Sequence, residues 1–475
     1  MSGPEQPEQQ QLDALYREAE YWHVNTGGKT IHAKRMSGTY RTLKWLLMPV
    51  WLIYFLGPYL RWHERQAVLW DIPNRQFHMF NVTVLPQDVW LLALVLLFFA
   101  LLLALVTSIA GRVYCGYFCF QTVWTDIFTW IEEKIEGSPQ RRLRLDQAPW
   151  TLKKLMIKGA KHALWLLISV LTGISFTLWF TDAYDLWRGY LTLQAPMPAW
   201  ISLGVFTFFT YLFAGHMREQ VCFWLCPYAR IQGVMVDPAT ILPTYDFARG
   251  EPRGKLKKGQ TAVASGLGDC IDCKQCVAVC PTGIDIRHGQ QEGCITCALC
   301  LDACDAVMDK IQRPHGLIRY ASLDEIEGRA IHSVLWRPRV LVYSGIMIAA
   351  LAGIIYGLGN LGELELKVLH GRAPLFVLQS DGAIQNRYEL KILNKTKADM
   401  RIAISAAGHS GMLLQGAGQA LVIPKGRVSA HTLFVRIPGS QLTRERIPVT
   451  VSVTDTANPA VSASYQTMFF GPVPE

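Results

Sequence analysis

Long apolar runs separated by short polar stretches dominate the first half of the chain, and the periodicity changes twice before its end. Five runs are long and apolar enough to cross a hydrocarbon layer of about 30 Å as helices. They lie near 43–60, 89–110, 162–181, 199–217 and 340–359. The first and fourth are short or interrupted, with Pro49, Gly57 and Pro58 in the first. One such run alone could be a buried core helix, but five with few charges predict a membrane protein. Residues 120–136 (FQTVWTDIFTWIEEKIE) place apolar side chains at helical spacing, which fits either an amphipathic helix on the inner membrane surface or an ordinary packed helix. Residues 245–268, rich in Gly, Lys and Arg, read as a linker. From 388 onward the period falls to two in YELKILN, MRIAISAA, TLFVRIP, IPVTVSV and SYQTMFF, separated by turn residues. That alternation predicts an all-β sandwich.

Composition agrees with this division. The chain has 475 residues, room for two or three domains, and 51% hydrophobic residues. Mean hydropathy is +0.18. The net charge of +9 does not point to nucleic acid, because Lys and Arg gather beside the apolar runs rather than on one face. Segment 29–44 carries Lys29, Lys34, Arg35, Arg41 and Lys44, and loop 111–161 carries nine basic residues; loop 61–88 has three and loop 182–198 only Arg188. Arg218 and Arg230 follow the fourth run, while Arg337 and Arg339 precede the fifth. The positive-inside rule therefore puts the N-terminus and 218–339 in the cytoplasm, and five crossings leave 360–475 outside. The first 42 residues are polar and charged, so the first run is expected to stay as an anchor.

All twelve cysteines fall on the side expected to be reducing, which favours metal binding over disulfides. Eight follow C-x2-C-x2-C-x3-C twice: Cys270, Cys273, Cys276 and Cys280, then Cys294, Cys297, Cys300 and Cys304. Three close thiolates wrap one cubane and the fourth reaches its neighbour. Cys270, Cys273, Cys276 and Cys304 are thus expected on one 4Fe-4S cluster, and Cys294, Cys297, Cys300 and Cys280 on a second, in an α+β ferredoxin-like domain. A pair of zinc sites would not explain the crossed fourth cysteine. No C-x-x-C-H, Rossmann fingerprint or P-loop occurs, which excludes covalent haem and leaves nicotinamide and ATP unsupported.

The other four cysteines stand in two C-x3-C motifs, RVYCGYFCFQTVW (112–124) and EQVCFWLCPYARIQG (219–233), each after a pair of apolar runs. This suggests a duplicated unit. On a helix, Cys115 and Cys119, or Cys222 and Cys226, would share one face. Four converging thiolates would suit Cu(I), zinc or a further iron-sulfur cluster, and the bland alternative is four buried structural thiols. His216, beside Met217, could extend such a site, and with His162 it could hold b-type haem, although both also fit interfacial side chains. His78-Met79 could meet a metal ion on the outer side, or simply pack in a loop. Asn394-Lys395-Thr396 matches a glycosylation sequon and equally a surface turn.

WDIPNRQFHMF (70–80), GRVYCGYFCFQTVWTDIF (111–128), REQVCFWLCPYARIQGVMVD (218–237) and the double cysteine run together resemble the CcoG/FixG/RdxA proteins, over nearly the whole chain. The membrane part is more distantly similar to the NapH/NosR polyferredoxins. The resemblance implies a bacterial inner-membrane oxidoreductase that reduces Cu(II) to Cu(I) on the cytoplasmic side for the copper centre of cbb3-type cytochrome c oxidase. It also implies that the C-x3-C thiols bind or reduce copper, that the sandwich is immunoglobulin-like and periplasmic, and that oxidase assembly factors and copper carriers are partners. Phe120 stands where the family usually has Pro after the first motif, whereas Pro227 keeps it in the second.

The expected layout is a cytoplasmic segment at 1–42, a four-span membrane domain at 43–244, a double-cluster domain at 245–336, a fifth span at 337–360 and the sandwich at 361–475. Two other functions fit the same residues: a Cu(I) chaperone or scaffold without turnover, and an electron-transfer subunit of a quinol-linked reductase. The electron donor is not encoded in any motif.

Overall fold

The computed structural model describes residues 31–472 except 63–64, 74–75, 81, 85–87, 256–265, 330–333, 360–361, 372–373, 397, 419 and 443. Most of the N-terminal segment, including Lys29, and the middle of the 245–268 linker lie outside these residues. The chain forms two compact units, one built from residues up to Ile72 with Asp88–Ile354, the other from Pro73–Gln87 with Ile355–Glu475.

Among the described residues four helices are long and apolar enough to cross a membrane: Val89–Ala110, Leu152–Leu178, Met197–Met217 and Pro338–Gly359. Val89–Ala110 has mean hydropathy 3.2 and only 6% of its apolar window buried by protein, so its side chains need lipid around them. The first expected span is instead broken into Thr39–Leu47, Met48–Trp51, Leu52–Leu56 and Gly57–Tyr59. Pro49 and Pro58 start the two tight 3₁₀ turns, because proline lacks the donor that an α-helix interior requires. The third span begins at Leu152, ten residues before the apolar run. Its added turns carry Lys158 and Lys161, which pair with Glu136 at 2.9 and 3.0 Å.

Leu152–Leu178 and Met197–Thr210 form a tight hairpin. A Cβ on Gly173 would lie 2.9 Å from the Leu203 carbonyl, so the missing side chain permits the approach. Phe176 stacks on Phe206 at 3.6 Å. The broken N-terminal helix leans on the same hairpin, Tyr54 Oη donating to the Thr172 carbonyl at 2.8 Å.

Phe120–Ile135 is a packed helix rather than a surface-lying one, with Val123, Trp124, Phe128 and Ile131 buried. Its polar side is buried too. Asp126 receives Arg35 at 2.7 Å, Arg41 at 2.9 Å and Lys44 at 3.2 Å. Six residues on, Glu132 receives Arg142 at 2.9 Å and Arg218 at 2.7 Å. Burial alone would raise the Asp126 carboxyl, but Lys44, Arg41 and Arg35 outweigh it and hold the group below the usual carboxylate range.

The cysteine-rich part belongs to the same compact unit. Leu242–Tyr245 pairs antiparallel with Ile318–Ala321, beside helices Gln275–Ala278 and Leu299–Lys310. Asp302 accepts from the amides of Tyr40 and Arg41 at 3.1 and 2.8 Å. A carboxylate from this part therefore caps the N-terminal helix.

In the second unit the period-two pattern gives a sandwich of two antiparallel sheets. One is ordered Leu413–Gln415, Val428–Pro438, Ala383–Asn394, Leu364–His370; the other Leu421–Ile423, Met400–Ala407, Arg446–Asp455, Ser462–Phe470. Tyr388, Leu390, Ile392, Leu433, Val435, Val449, Val451 and Phe469 lie among its fully buried core. Leu364–His370 begins before the stretch where alternation marks strands. Thr396 donates to Asn394 Oδ1, while the Asn394 amide donates to the Ala398 and Ile423 carbonyls. The sequon is thus a closed turn with its amide engaged. His78 is buried in the hairpin Gln76–Met79/Val82–Val84 and meets Thr83 Oγ1 at 3.1 Å.

Removing the charge of Asp126 leaves three buried cations facing one another. Asp126→Asn should cost about 3 kcal/mol or more, read as an earlier thermal unfolding transition in detergent micelles. Because the fold depresses this carboxyl, its contribution is full above about pH 4 and fades below it; the gap between native chain and variant should close on acidification.

Candidate functional site

The two C-x3-C motifs have one backbone plan. Each preceding span ends in a residue with positive φ, Gly111 at φ 56°, ψ −127° and Arg218 at φ 45°, ψ −113°. One helical turn follows, Val113–Tyr117 in the first motif and the wider Val221–Leu225 in the second. The chain then extends at Cys119 (φ −61°, ψ 129°) and Cys226 (φ −80°, ψ 108°), and each starts a new helix, Phe120–Ile135 and Pro227–Met235. The paired cysteines therefore do not share a helix face. The turn ends before the second sulfur, which is re-aimed by an extended residue. Phe120 fills the first helical position that Pro227 fills in the other copy, so the missing proline leaves the motif's shape unchanged.

The two copies interlock. Gln121, after the first motif, donates to the Phe213 and Arg218 carbonyls before the second at 2.8 and 3.0 Å. Tyr228 and Gln232, after the second motif, reach Thr107 on the first span at 3.0 and 3.4 Å. This exchange brings the four sulfurs into one electrostatic neighbourhood. Burial pushes the Cys115 and Cys222 thiols up to about 12, and the nearby cysteines of both motifs add to the effect. Burial also raises Cys119, against amide donors from Gln121 and Thr122. Cys115 Sγ meets Gln232 Oε1 at 3.3 Å.

The sulfurs do not close on an ion-sized point. Among the described residues no set of three or more His, Cys, Asp or Glu does so. His216 keeps different company: its ring stacks on His162 at 6.0 Å and packs beside Trp165 and Tyr211.

The remaining eight cysteines line two adjacent cavities. Cys270, Cys273, Cys276 and Cys304 line one, with Tyr245, Met308 and Leu317. Cys280, Cys294, Cys297 and Cys300 line the other with Ile284 and Ile295, and Cys276 borders both. The fourth cysteine of each run thus stands in the other run's cavity. Backbone conformation points the same way. Asp272 and Lys274 flank Cys273, Thr296 and Ala298 flank Cys297, and all four hold φ between 53° and 58°. Non-glycine residues persist there only where surroundings dictate it. Such curls present successive N–H groups to an anionic body, as iron-sulfur sites require. Soft sulfur donors around dry, apolar pockets fit two 4Fe-4S clusters.

The thiol group and the second cavity touch. Gly116, next to Cys115, lies so close to the other backbone that an added Cβ would sit 2.6 Å from the Ile295 carbonyl and 3.0 Å from Cys297 N. Tyr117 Oη donates to the Cys297 carbonyl at 3.2 Å, and Cys115, Ile295 and Cys297 share one buried cluster. Sequence spacing gave no sign of this contact, because 180 residues separate its two sides.

Family models match three parts of the chain: a 4Fe-4S binding domain at 92–138, a 4Fe-4S dicluster domain at 217–323 and the IG-like fold at the C-terminus of FixG at 354–472. Nitrogen fixation protein FixG of Rhizobium meliloti is 41% identical over 454 residues, covering 86% of this chain and 87% of that protein. Protein RdxA of Cereibacter sphaeroides is 44% identical over 395 residues, 80% and 83% of the two chains. Protein RdxB of the same organism is 42% identical over 421 residues, 85% and 88%. With four membrane-length helices, two 4Fe-4S family matches and relatives of this extent, the chain is a membrane iron-sulfur redox protein and belongs to the FixG/RdxA family.

Proposed function

We propose that this protein reduces Cu(II) to Cu(I) at the Cys115, Cys119, Cys222 and Cys226 thiols, delivering copper for the assembly of cbb3-type cytochrome c oxidase through assembly factors and copper carriers. The observation that carries the reading is the backbone contact of Gly116 with Cys297, which sets one thiol motif against the wall of a cysteine-lined cavity. Cys270, Cys273, Cys276 and Cys304 would hold one 4Fe-4S cluster and Cys280, Cys294, Cys297 and Cys300 the other. When bound, these groups supply single electrons; each Cu(II) takes one, with no bond broken. The chain's own task is to receive the product. Cu(II) prefers nitrogen and oxygen ligands, while Cu(I) prefers a few soft sulfurs, so thiolates favour the reduced ion. Binding requires the incoming cation to displace the protons of the buried thiols, which are released to water. His216, expected beside them, is left out of the ligand set.

The basic residues of segment 29–44 and of loop 111–161 support a cytoplasmic thiol site in a bacterial inner membrane, with the sandwich in the periplasm. The remaining crossing is assigned to the apolar part of the broken helix, which follows the Arg41 and Lys44 that dock on Asp126 and is short for a straight span. A second reading has one specific support: the 4Fe-4S family match at 92–138 contains Cys115 and Cys119, which suits a further cluster held by the four thiols. Iron and copper analysis of anaerobically purified protein separates the two, since the second requires iron beyond two cubanes.

With a chemical reductant, native protein should turn over Cu(II) repeatedly. Cys222→Ser with Cys226→Ser should bring turnover to background while the ferredoxin-type EPR signal stays; persistent turnover would sink the assignment. Cys273→Ser should remove part of that signal and the activity together. Gly116→Ala should force the two backbones apart, costing about 1–3 kcal/mol of packing, and slow turnover with the EPR amplitude retained. Native turnover in that variant would mean that electrons take another route.

A further inference from the structure

Three membrane-length helices each bring one end to the second thiol motif. Met197–Met217 leads directly into the turn Val221–Leu225. The helix that follows, Pro227–Met235, is held by the other two. Tyr228 and Gln232 reach Thr107, in the last turn of Val89–Ala110, at 3.0 and 3.4 Å. At the far end Arg339, in the first turn of Pro338–Gly359, donates to the Met235 carbonyl at 3.1 Å and to Asp237. Residues 223–235 therefore lie at the depth where the spans leave the hydrocarbon, among lipid headgroups. Their outer side is apolar: Trp224 and Ile231 are each 58% exposed, Leu225 51% and Val234 89%. It adjoins the bare surface of Val89–Ala110, which lipid has to cover.

A surface groove of about 290 Å³ opens here, with Cys222 in its lining, Phe223 and Trp224 as apolar walls, and Arg112, Arg230 and Glu292 as its charges. Arg112 is only 7% exposed. One of its Nη atoms donates to the Ala229 carbonyl, while its Nε and second Nη have no partner among the described residues and yet are not sealed from water. A buried guanidinium with accessible, unused donors calls for an acceptor in the groove. Arg230 lies over the Trp224 ring at 6.0 Å, as basic and aromatic side chains do at a membrane interface. Arg230 and Glu292 line the same groove without forming an ion pair with each other or with any other described residue. Opposite charges held apart along a largely apolar groove match an amphiphile that carries both signs.

We infer that this groove binds one phospholipid whose headgroup carries a phosphate and a primary ammonium, as an ethanolamine phospholipid does. Arg112 and Arg230 take the phosphate oxygens, for which guanidinium donors are well shaped, and Glu292 takes the ammonium. The acyl chains lie on Ile231, Val234 and the adjoining span. The volume is many times the roughly 30 Å³ of one water, which leaves room for a headgroup. Bound there, the headgroup stands beside Cys222, so that lipid supplies one wall of the thiol site. The inference goes beyond the copper reading and stands without it.

The test uses delipidated full-length protein in detergent micelles, titrated separately with ethanolamine, glycerol and choline phospholipids of the same acyl chains, and with inorganic phosphate. The readout is the unfolding temperature, which a ligand bound only by the folded state raises in a saturable way. A glycerol headgroup has no cation, and choline has no N–H to donate. The ethanolamine lipid should therefore half-saturate at a concentration at least about tenfold below the other two. Arg230 and Glu292 are both exposed, so their replacement spares the core. Glu292→Gln should abolish the preference for the ethanolamine lipid, whereas Arg230→Gln should weaken all three lipids together. The inference fails if the native protein shows no such preference, if Glu292→Gln retains it, or if Arg230→Gln binds like the native chain. It also fails if inorganic phosphate stabilises as strongly as the lipid, which would make the ligand a soluble anion.

Discussion

The absence of a side chain at Gly116 is the constraint on which the redox architecture rests. The backbone of a membrane-proximal motif and the backbone beside Cys297 approach more closely than any Cβ would allow. Around that contact, Tyr117 hydrogen-bonds to the Cys297 carbonyl and Arg112 N donates to Thr296 Oγ1 at 3.2 Å. Gly111 and Leu242 pack nearby. The cysteine-rich part is thereby seated on the membrane helices as one body rather than tethered to them. A fixed separation between sulfur centres is what electron transfer demands, and here close packing rather than a covalent link supplies it.

Charge performs the complementary task. The helix Phe120–Ile135 carries two buried carboxylates, Asp126 and Glu132, that gather cations from the N-terminal segment, from Arg142, from Lys161 in the third span and from Arg218 in the second motif. Ion pairs this deep contribute little net stability compared with apolar packing, but any one partner alone would be intolerable. Their effect is to specify which elements meet.

Much of this was legible in the chain. The sandwich followed from period-two alternation, because a half-buried strand must alternate, and the runs at 388–394, 400–407, 432–438, 447–453 and 464–470 all lie in strands. The double cysteine run announced its clusters through spacing alone. Hydropathy located four membrane-length helices, and the interruptions visible at Pro49 and Pro58 do break the first run; it could not foresee that the third helix extends through lysines neutralised by Glu132, Glu136 and Asp146. The C-x3-C spacing suggested a helix face, whereas Cys119 and Cys226 are extended; four-residue spacing counts along a helix only while the helix continues. Long-range matches such as Arg41 with Asp126, or Gly116 with Cys297, leave no local trace, since each side alone looks like an ordinary charge or a small residue.

The exchange of partners between the two copies bears on biosynthesis. Gln121 finds its acceptor at Phe213, 92 residues later, and Thr107 waits 125 residues for Gln232. A nascent chain therefore holds Thr107 and Gln121 only by their local bonds to Leu103 and Thr125 until the second copy supplies the long-range partners. Neither copy is a self-sufficient folding unit, and contacts spanning so much sequence close slowly. Truncation before Phe213 removes both acceptors of Gln121 and both partners of Thr107 from the second copy, and leaves the first motif with an open flank.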